Sequence, residues 1–206
     1  NGEADNTIVI FMSDNGGLSS EPRWRDGEIH TQNYPLNSGK GSAYEGGVRE
    51  PMIVRWPGVV KPGSKCDKYL IIEDFYPTIL EMAGIRGHKT VQPIDGVPLL
   101  KGTGDPSVGR SLFWNCPNIW GNDGPGIGPT CSVRNGDWKL IYYYETGKKE
   151  LFNITEDIGE HNDVARQHPD IVKRLSGELG TYLRKVDGQR PSFKATGKPV
   201  PWPDEI

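Results

Sequence analysis

The sequence predicts an α/β chain in two parts: an α/β beginning whose first strand suits a parallel sheet, then a small antiparallel sheet covered by a C-terminal helix. Three observations carry this expectation. Ile8–Met12 is a bulky apolar run that stops abruptly at Asp14-Asn15-Gly16-Gly17, as a strand buried on both faces does. Asn135-Gly136 stands between Cys131–Arg134 and Trp138–Tyr144 and marks a hairpin of antiparallel strands. Behind Pro169, the residues Ile171, Val172, Leu175, Leu179, Tyr182, Leu183 and Val186 recur at helical spacing and form one apolar stripe.

Taken in order, Asn6–Ser13 is the first strand. Leu18–Gly39 is polar and broken by Pro22, Gly27 and Pro35, a long loop of the kind that is usually functional or disordered. Met52–Val54 reads as a second short strand and Val59–Lys68 as a connector. Ile72–Ile85 reads as a helix, with Pro77 in its first turn and Gly84 as its stop. Ser111–Trp114 is a short strand, and Glu150–Ile154 completes the antiparallel part. Pro169–Val186 is the covering helix, and the Pro- and Lys-rich end is a surface tail. A division into 1–109 and 110–206 follows.

Composition narrows the function. A net charge of -3 over 206 residues argues against an electrostatic nucleic-acid binder. No apolar run approaches the roughly 20 residues of a membrane span, and no signal peptide is visible. The chain starts at Asn1 without a Met and reads as one entered midway. Its three cysteines follow no metal spacing; a Cys116–Cys131 bridge and free thiols both remain open.

Chemistry concentrates in two stretches. Asp14 and Asn15 fall just past the end of a strand, where ligands of parallel sheets gather, and offer oxygen ligands for a hard cation such as Ca²⁺. Lys40 stands between glycines, where a backbone can approach an anion closely. Against this stand blander readings: a turn after a strand, and a solvated lysine. His30 lies in the loop between the two stretches and could line a substrate pocket. Trp114, Asn115, Asn118 and Trp120 could recognise a sugar, while Glu45 and Arg49 fit an ion pair that supports the loop. His88, His161 and His168 lack ligand-like partners in sequence and are expected at the surface.

The motifs VIFMSDNGG, GKGSAYEGGVREPMIVRWPG, EDFYPTILEMAGI, DGVPLLKG, RSLFWN and SVRNGDWKLIYYYE…KKELFNITEDIGEHNDVA run in order from about Asn6 to Ala165. Together they resemble the C-terminal half of the sulfatase family, within the alkaline-phosphatase-like superfamily, and look most like bacterial arylsulfatase-A-like enzymes acting on sulfated carbohydrates. The resemblance implies that Asp14 and Asn15 coordinate Ca²⁺, that Lys40 contacts the sulfate, and that the reaction is hydrolysis of a sulfate monoester. It implies a carbohydrate sulfate or aryl sulfate as substrate, and a periplasmic or secreted location. The family's nucleophile is a formylglycine made within C/S-x-P-x-R. Cys66, Cys116 and Cys131 do not fit that motif, and the family's acidic ligand pair and catalytic histidine are also missing. By itself the chain is therefore expected to be inactive and to hold calcium weakly, with the remaining groups on a missing N-terminal half.

Two other functions compete. One is a phosphatase or phosphodiesterase of the same superfamily, whose two Zn²⁺ need histidines that Asp14 lacks nearby. The other is an inactive glycan-binding fragment. An unpaired edge of Ile8–Met12 would pair with Met52–Val54 or another copy of the chain, or be poorly ordered.

Overall fold

The computed structural model describes residues 1–19, 33–87, 96–119 and 124–206. They form two compact units: Asn1–Met12 with Pro51–Arg110, and Ser13–Glu50 with Ser111–Ile206. One boundary lies between Arg110 and Ser111. The stretch that carries Asp14, Asn15 and Lys40 belongs with the C-terminal sheet.

In the first unit, β1 (Val9–Met12) pairs with β2 (Met52–Arg55), in register from Val9↔Arg55 to Met12↔Met52. The pairing with Met52–Val54 is as expected, but it is antiparallel, and β1 is not buried on both faces. Val9, Phe11 and Ile53 are 48%, 66% and 66% exposed. A two-stranded ribbon has no second layer of its own, so an apolar strand that reads as buried stays open on its flanks. A 3₁₀ turn over Ile72–Asp74 leads into α2 (Phe75–Met82), and Gly84, at φ +73°, follows that helix's end. Buried Asp74 receives both nitrogens of Arg110 at 2.7 and 2.8 Å. Thr78 donates its hydroxyl to the Asp74 carbonyl at 2.6 Å and accepts the Gly96 amide at 2.8 Å. That contact fixes the start of α3 (Val97–Lys101).

In the second unit, β3 (Ser111–Cys116), β4 (Thr130–Asn135), β5 (Trp138–Tyr143) and β6 (Lys149–Asn153) form an antiparallel meander in that order. The β4–β5 turn pairs Asn135 with Trp138 and takes Gly136 through φ +58°, a left-handed conformation that costs glycine nothing. Helix α4 (Pro169–Lys185) covers one face. Its Leu175, Leu179 and Leu183 pack with Val133, Leu140, Tyr142 and Leu151, while Tyr182 stacks on Phe113 at 3.9 Å between ring centres. Each fully buried leucine contributes about 1.5–3 kcal/mol relative to an exposed one. The opposite face, with Ile141, Phe152 and Ile154, packs on Ala43 and Tyr44. Both faces are therefore used, one for the helix and one for the loop that bears the site. The short α1 (Glu45–Val48) continues that loop.

The chain end corrects one expectation. Val200 and Trp202 are buried, Tyr142 donates its hydroxyl to the Pro201 carbonyl at 2.9 Å, and Arg184 forks onto Asp204 at 2.8 Å. A few apolar side chains outweigh the polar composition of the segment, and the guanidinium of Arg190 lies over the Trp202 ring at 4.6 Å. All three cysteines are free, and burial pushes the Cys131 thiol up to about 12.

Candidate active site

The two stretches singled out in the sequence are locked together by glycine backbones. The Gly16 amide donates to the Gly47 carbonyl at 3.2 Å, and the Lys40 amide donates to the Gly17 carbonyl at 3.0 Å. Asn33 gives its side-chain amide to the carbonyls of Gly17 and Ser38 at 3.0 and 2.9 Å. The approach is so close that a Cβ on Gly16 would lie within 3.0 Å of the Gly46 carbonyl, and one on Gly39 within 3.0 Å of the Gly17 carbonyl. Glycine is required here for space rather than for backbone freedom. The turn of Asp14 and Asn15 and the loop of Lys40 thus form one surface.

Within that surface, Asp14 is exposed, while Asn15 and Lys40 are half-buried. The Asn15 amide nitrogen donates to the Gly16 carbonyl at 3.0 Å, which leaves its oxygen as the end to present to a cation. Glu50 adds a second carboxylate that the motifs do not single out. One of its oxygens is buried without a hydrogen-bond partner. Burial, and then the charge of Asp14, push its carboxyl above the usual range. A buried carboxylate oxygen without a partner, beside the charge of Asp14, is an arrangement that a bound hard cation would relieve. Among the described residues no group of three or more His, Cys, Asp or Glu could hold a metal. Calcium takes six to eight oxygens, so Asp14 and Asn15 would be one part of a shell.

Glu45 is the keystone of the loop. Its two carboxylate oxygens take Lys139 Nζ and a guanidinium nitrogen of Arg134, both at 3.0 Å, and its backbone amide donates to Glu160 at 2.6 Å. Lys139 also stands 2.9 Å from Glu160 and has no exposed surface. The expected Glu45–Arg49 pair is present at 3.9 Å, as the outermost of these contacts. Burial works to raise the Glu45 carboxyl, but the charges of Lys139 and Arg134 outweigh it and hold the group below its usual range. Burial raises Glu160 and prevails over the same lysine.

His30, His88 and Trp120 lie outside the described residues. Asn115 is tied into the fold, donating to the Gln189 carbonyl at 2.8 Å and accepting from the Tyr144 hydroxyl at 2.9 Å. His161 is exposed; His168 is half-buried, 5.0 Å from the Trp138 ring centre. Lys139 and Glu160 went unnoticed in the sequence, although Lys139 interrupts a strand, WKLIYY, that is otherwise wholly apolar or aromatic.

The C-terminal family of N-sulphoglucosamine sulphohydrolase matches residues 39–185, more than half of the chain. A sulfatase of Formosa agariphila is 33% identical over 98% of this chain and 37% of its own length. An N-acetylgalactosamine-6-O-sulfatase of Bacteroides thetaiotaomicron is 31% identical over 84% of this chain and 35% of its own. The structure of Ps i-CgsB in complex with k-i-k-neocarrahexaose superposes with a TM-score of 0.70 at 28% identity, over 92% of this chain and 38% of that one. The chain belongs to the sulfatases, a family of sulfuric ester hydrolases, and is a C-terminal portion of the alkaline-phosphatase-like sulfatase fold. It spans a little over a third of these relatives.

Proposed function

We propose that the protein to which this chain belongs hydrolyses sulfate monoesters on carbohydrates. In this reading Asp14 and Asn15 contribute to a calcium site, and Lys40 meets the sulfate group. The observation that carries it is the backbone lock joining the Gly16-Gly17 turn to the Gly39–Gly47 loop, which keeps two oxygen ligands and a cation on one surface. The N-acetylgalactosamine-6-O-sulfatase name of the B. thetaiotaomicron relative and the k-i-k-neocarrahexaose bound by Ps i-CgsB support a carbohydrate substrate.

The chemistry suits these groups. A sulfuryl group in transfer carries negative charge on its oxygens, and stabilisation comes from cations arranged in advance. Bound calcium would supply part of that positive charge. Asp14 and Asn15 would hold the ion by their side-chain oxygens. Lys40, an ammonium on a glycine-flanked loop, would pair with a sulfate or leaving-group oxygen and steady the ester as its bond to sulfur breaks. The nucleophile, a formylglycine in this reading, and the remaining ligands would come from elsewhere in the polypeptide, so the chain alone would be inactive. Periplasmic or secreted action is part of the same reading.

The test is Lys40→Ala in the full-length protein, assayed on an aryl sulfate and on sulfated monosaccharides. The expected result is a loss of kcat of about 100-fold or more with the fold intact. Near wild-type turnover would remove Lys40 from the mechanism. Asp14→Ala should weaken calcium binding in the same protein, measured by titration calorimetry.

A further inference from the structure

One buried cluster is not used by that chemistry: Lys139 and Arg134 on the sheet, Glu45 on the site loop, and Glu160. It holds Glu45 at both ends, the carboxylate through Lys139 and Arg134 and the backbone through Glu160. The next two residues, Gly46 and Gly47, make the lock: Gly46 donates its amide to the Asn37 carbonyl at 2.9 Å, and Gly47 accepts from Gly16. A Cβ on Gly47 would lie within 3.0 Å of the carbonyls of both Ser42 and Gly39, so Gly47 also touches the backbone beside Lys40.

We propose that Lys139 is a positioning residue for sulfate-ester hydrolysis: acting through Glu45 and Gly46-Gly47, it sets where Lys40 and the Asp14-Asn15 turn stand. This rests on the reading given above. Helix α1 has four residues, two of them glycines, and cannot hold its own conformation by helical bonding. Tyr44 and Ala43 seat the loop on the sheet through apolar contact, with the Tyr44 hydroxyl donating to Glu150 at 2.8 Å and the Ala43 amide to the Gly126 carbonyl at 2.9 Å. The ion cluster adds direction at Glu45 itself, next to Gly46-Gly47, because both Glu45 oxygens must stand where two fixed cations meet them. Apolar packing of similar volume often stabilises a core as well as a buried ion pair does, so geometry is what these charges add. Misplacing a catalytic group by about 1 Å can cost about 100-fold in rate.

The experiment compares Lys139→Met with Leu179→Ala in the full-length protein. Leu179 belongs to α4 and packs on the sheet face opposite the loop. Per folded molecule, Lys139→Met should lower kcat on an aryl sulfate by about 10- to 100-fold, with a smaller change in KM. Leu179→Ala should keep the wild-type kcat. The Lys40→Ala/Lys139→Met double variant should lose less than the product of the two single losses, since Lys139 acts in part through Lys40. Amide exchange at Gly16 and Gly46 should quicken in Lys139→Met and not in Leu179→Ala. This readout needs no turnover, so it still decides the positioning role if the wild-type protein proves not to hydrolyse sulfate esters. A wild-type kcat per folded molecule in Lys139→Met, or unchanged exchange at Gly16 and Gly46, overturns the proposal. If Lys139→Met does not fold, Glu160→Gln, which keeps the volume and removes one charge, takes its place: slower turnover and faster exchange support the positioning role, and wild-type values of either overturn it.

Discussion

Glu45 sits where four charges meet in a place nearly closed to water, and this gives it a pH signature. Its carboxyl is depressed below 4.5, so the stability it contributes is complete above that pH and lost as pH falls through the folded value. Removing one member of a buried pair costs about 3–5 kcal/mol. Glu45→Gln should therefore be destabilised by about that much in near-neutral denaturant melts. The gap should narrow as pH falls below 4.5 and close once the folded wild-type carboxyl, held below that value, also takes up a proton. Glu160 has the opposite sign and a different window: its raised carboxyl gains a proton above 4.5, which favours the folded state as pH falls. A gap between wild type and Glu45→Gln that is flat across acid pH would show that the carboxylate is not paired as described. Lys40, by contrast, was legible from two glycines and a lysine, because space around a backbone is written in local sequence. Apart from Arg49, the partners of Glu45 lie 89 to 115 positions along the chain, and no local pattern connects them.

At the scale of elements, the four-stranded sheet and α4 were largely readable. The Asn135-Gly136 turn follows from hairpin turn chemistry, and the leucine stripe of α4 from a period of 3.6. Their packing is predicted to dominate the stability of this unit. Leu179→Ala leaves a cavity among Leu175, Leu183 and the sheet, and should cost about 2–5 kcal/mol in chemical denaturation. What periodicity did not reveal is that the sheet serves two partners. The six residues of β5 include four consecutive buried ones, Lys139 to Tyr142, so both of its faces are covered. A run of that kind states that something lies on each side without naming it. Here one side is α4 and the other is the loop of Ala43 and Tyr44. The C-terminal segment was misread for a related reason: its proline and lysine content hid Val200 and Trp202, which need a prepared apolar surface to become buried.

At the scale of the molecule, the first unit leaves Phe11, Ile53, Ile72 and Tyr76 with most of their side-chain surface open. Large apolar side chains on a short, open ribbon favour association. The 206-residue chain by itself is predicted to self-associate, and Phe11→Ser with Ile53→Ser to shift it toward monomer in sedimentation. A monomeric wild-type chain at high concentration would contradict this. Antiparallel pairing with β2 was one of the foreseen outcomes for β1 only in its choice of partner; direction and exposure were not, because hydrophobicity records a preference for burial and not what supplies it. The sequence by itself determined the family resemblance, the hairpin, the covering helix and the identities of Asp14, Asn15 and Lys40, since each rests on residues near one another in the chain. Tertiary structure alone decided that the Asp14 turn and the Lys40 loop share a surface, and that a buried lysine from the sheet stands behind them. Those facts depend on glycine backbones meeting at van der Waals distance and on charges paired out of water, both of which exist only once distant segments have packed.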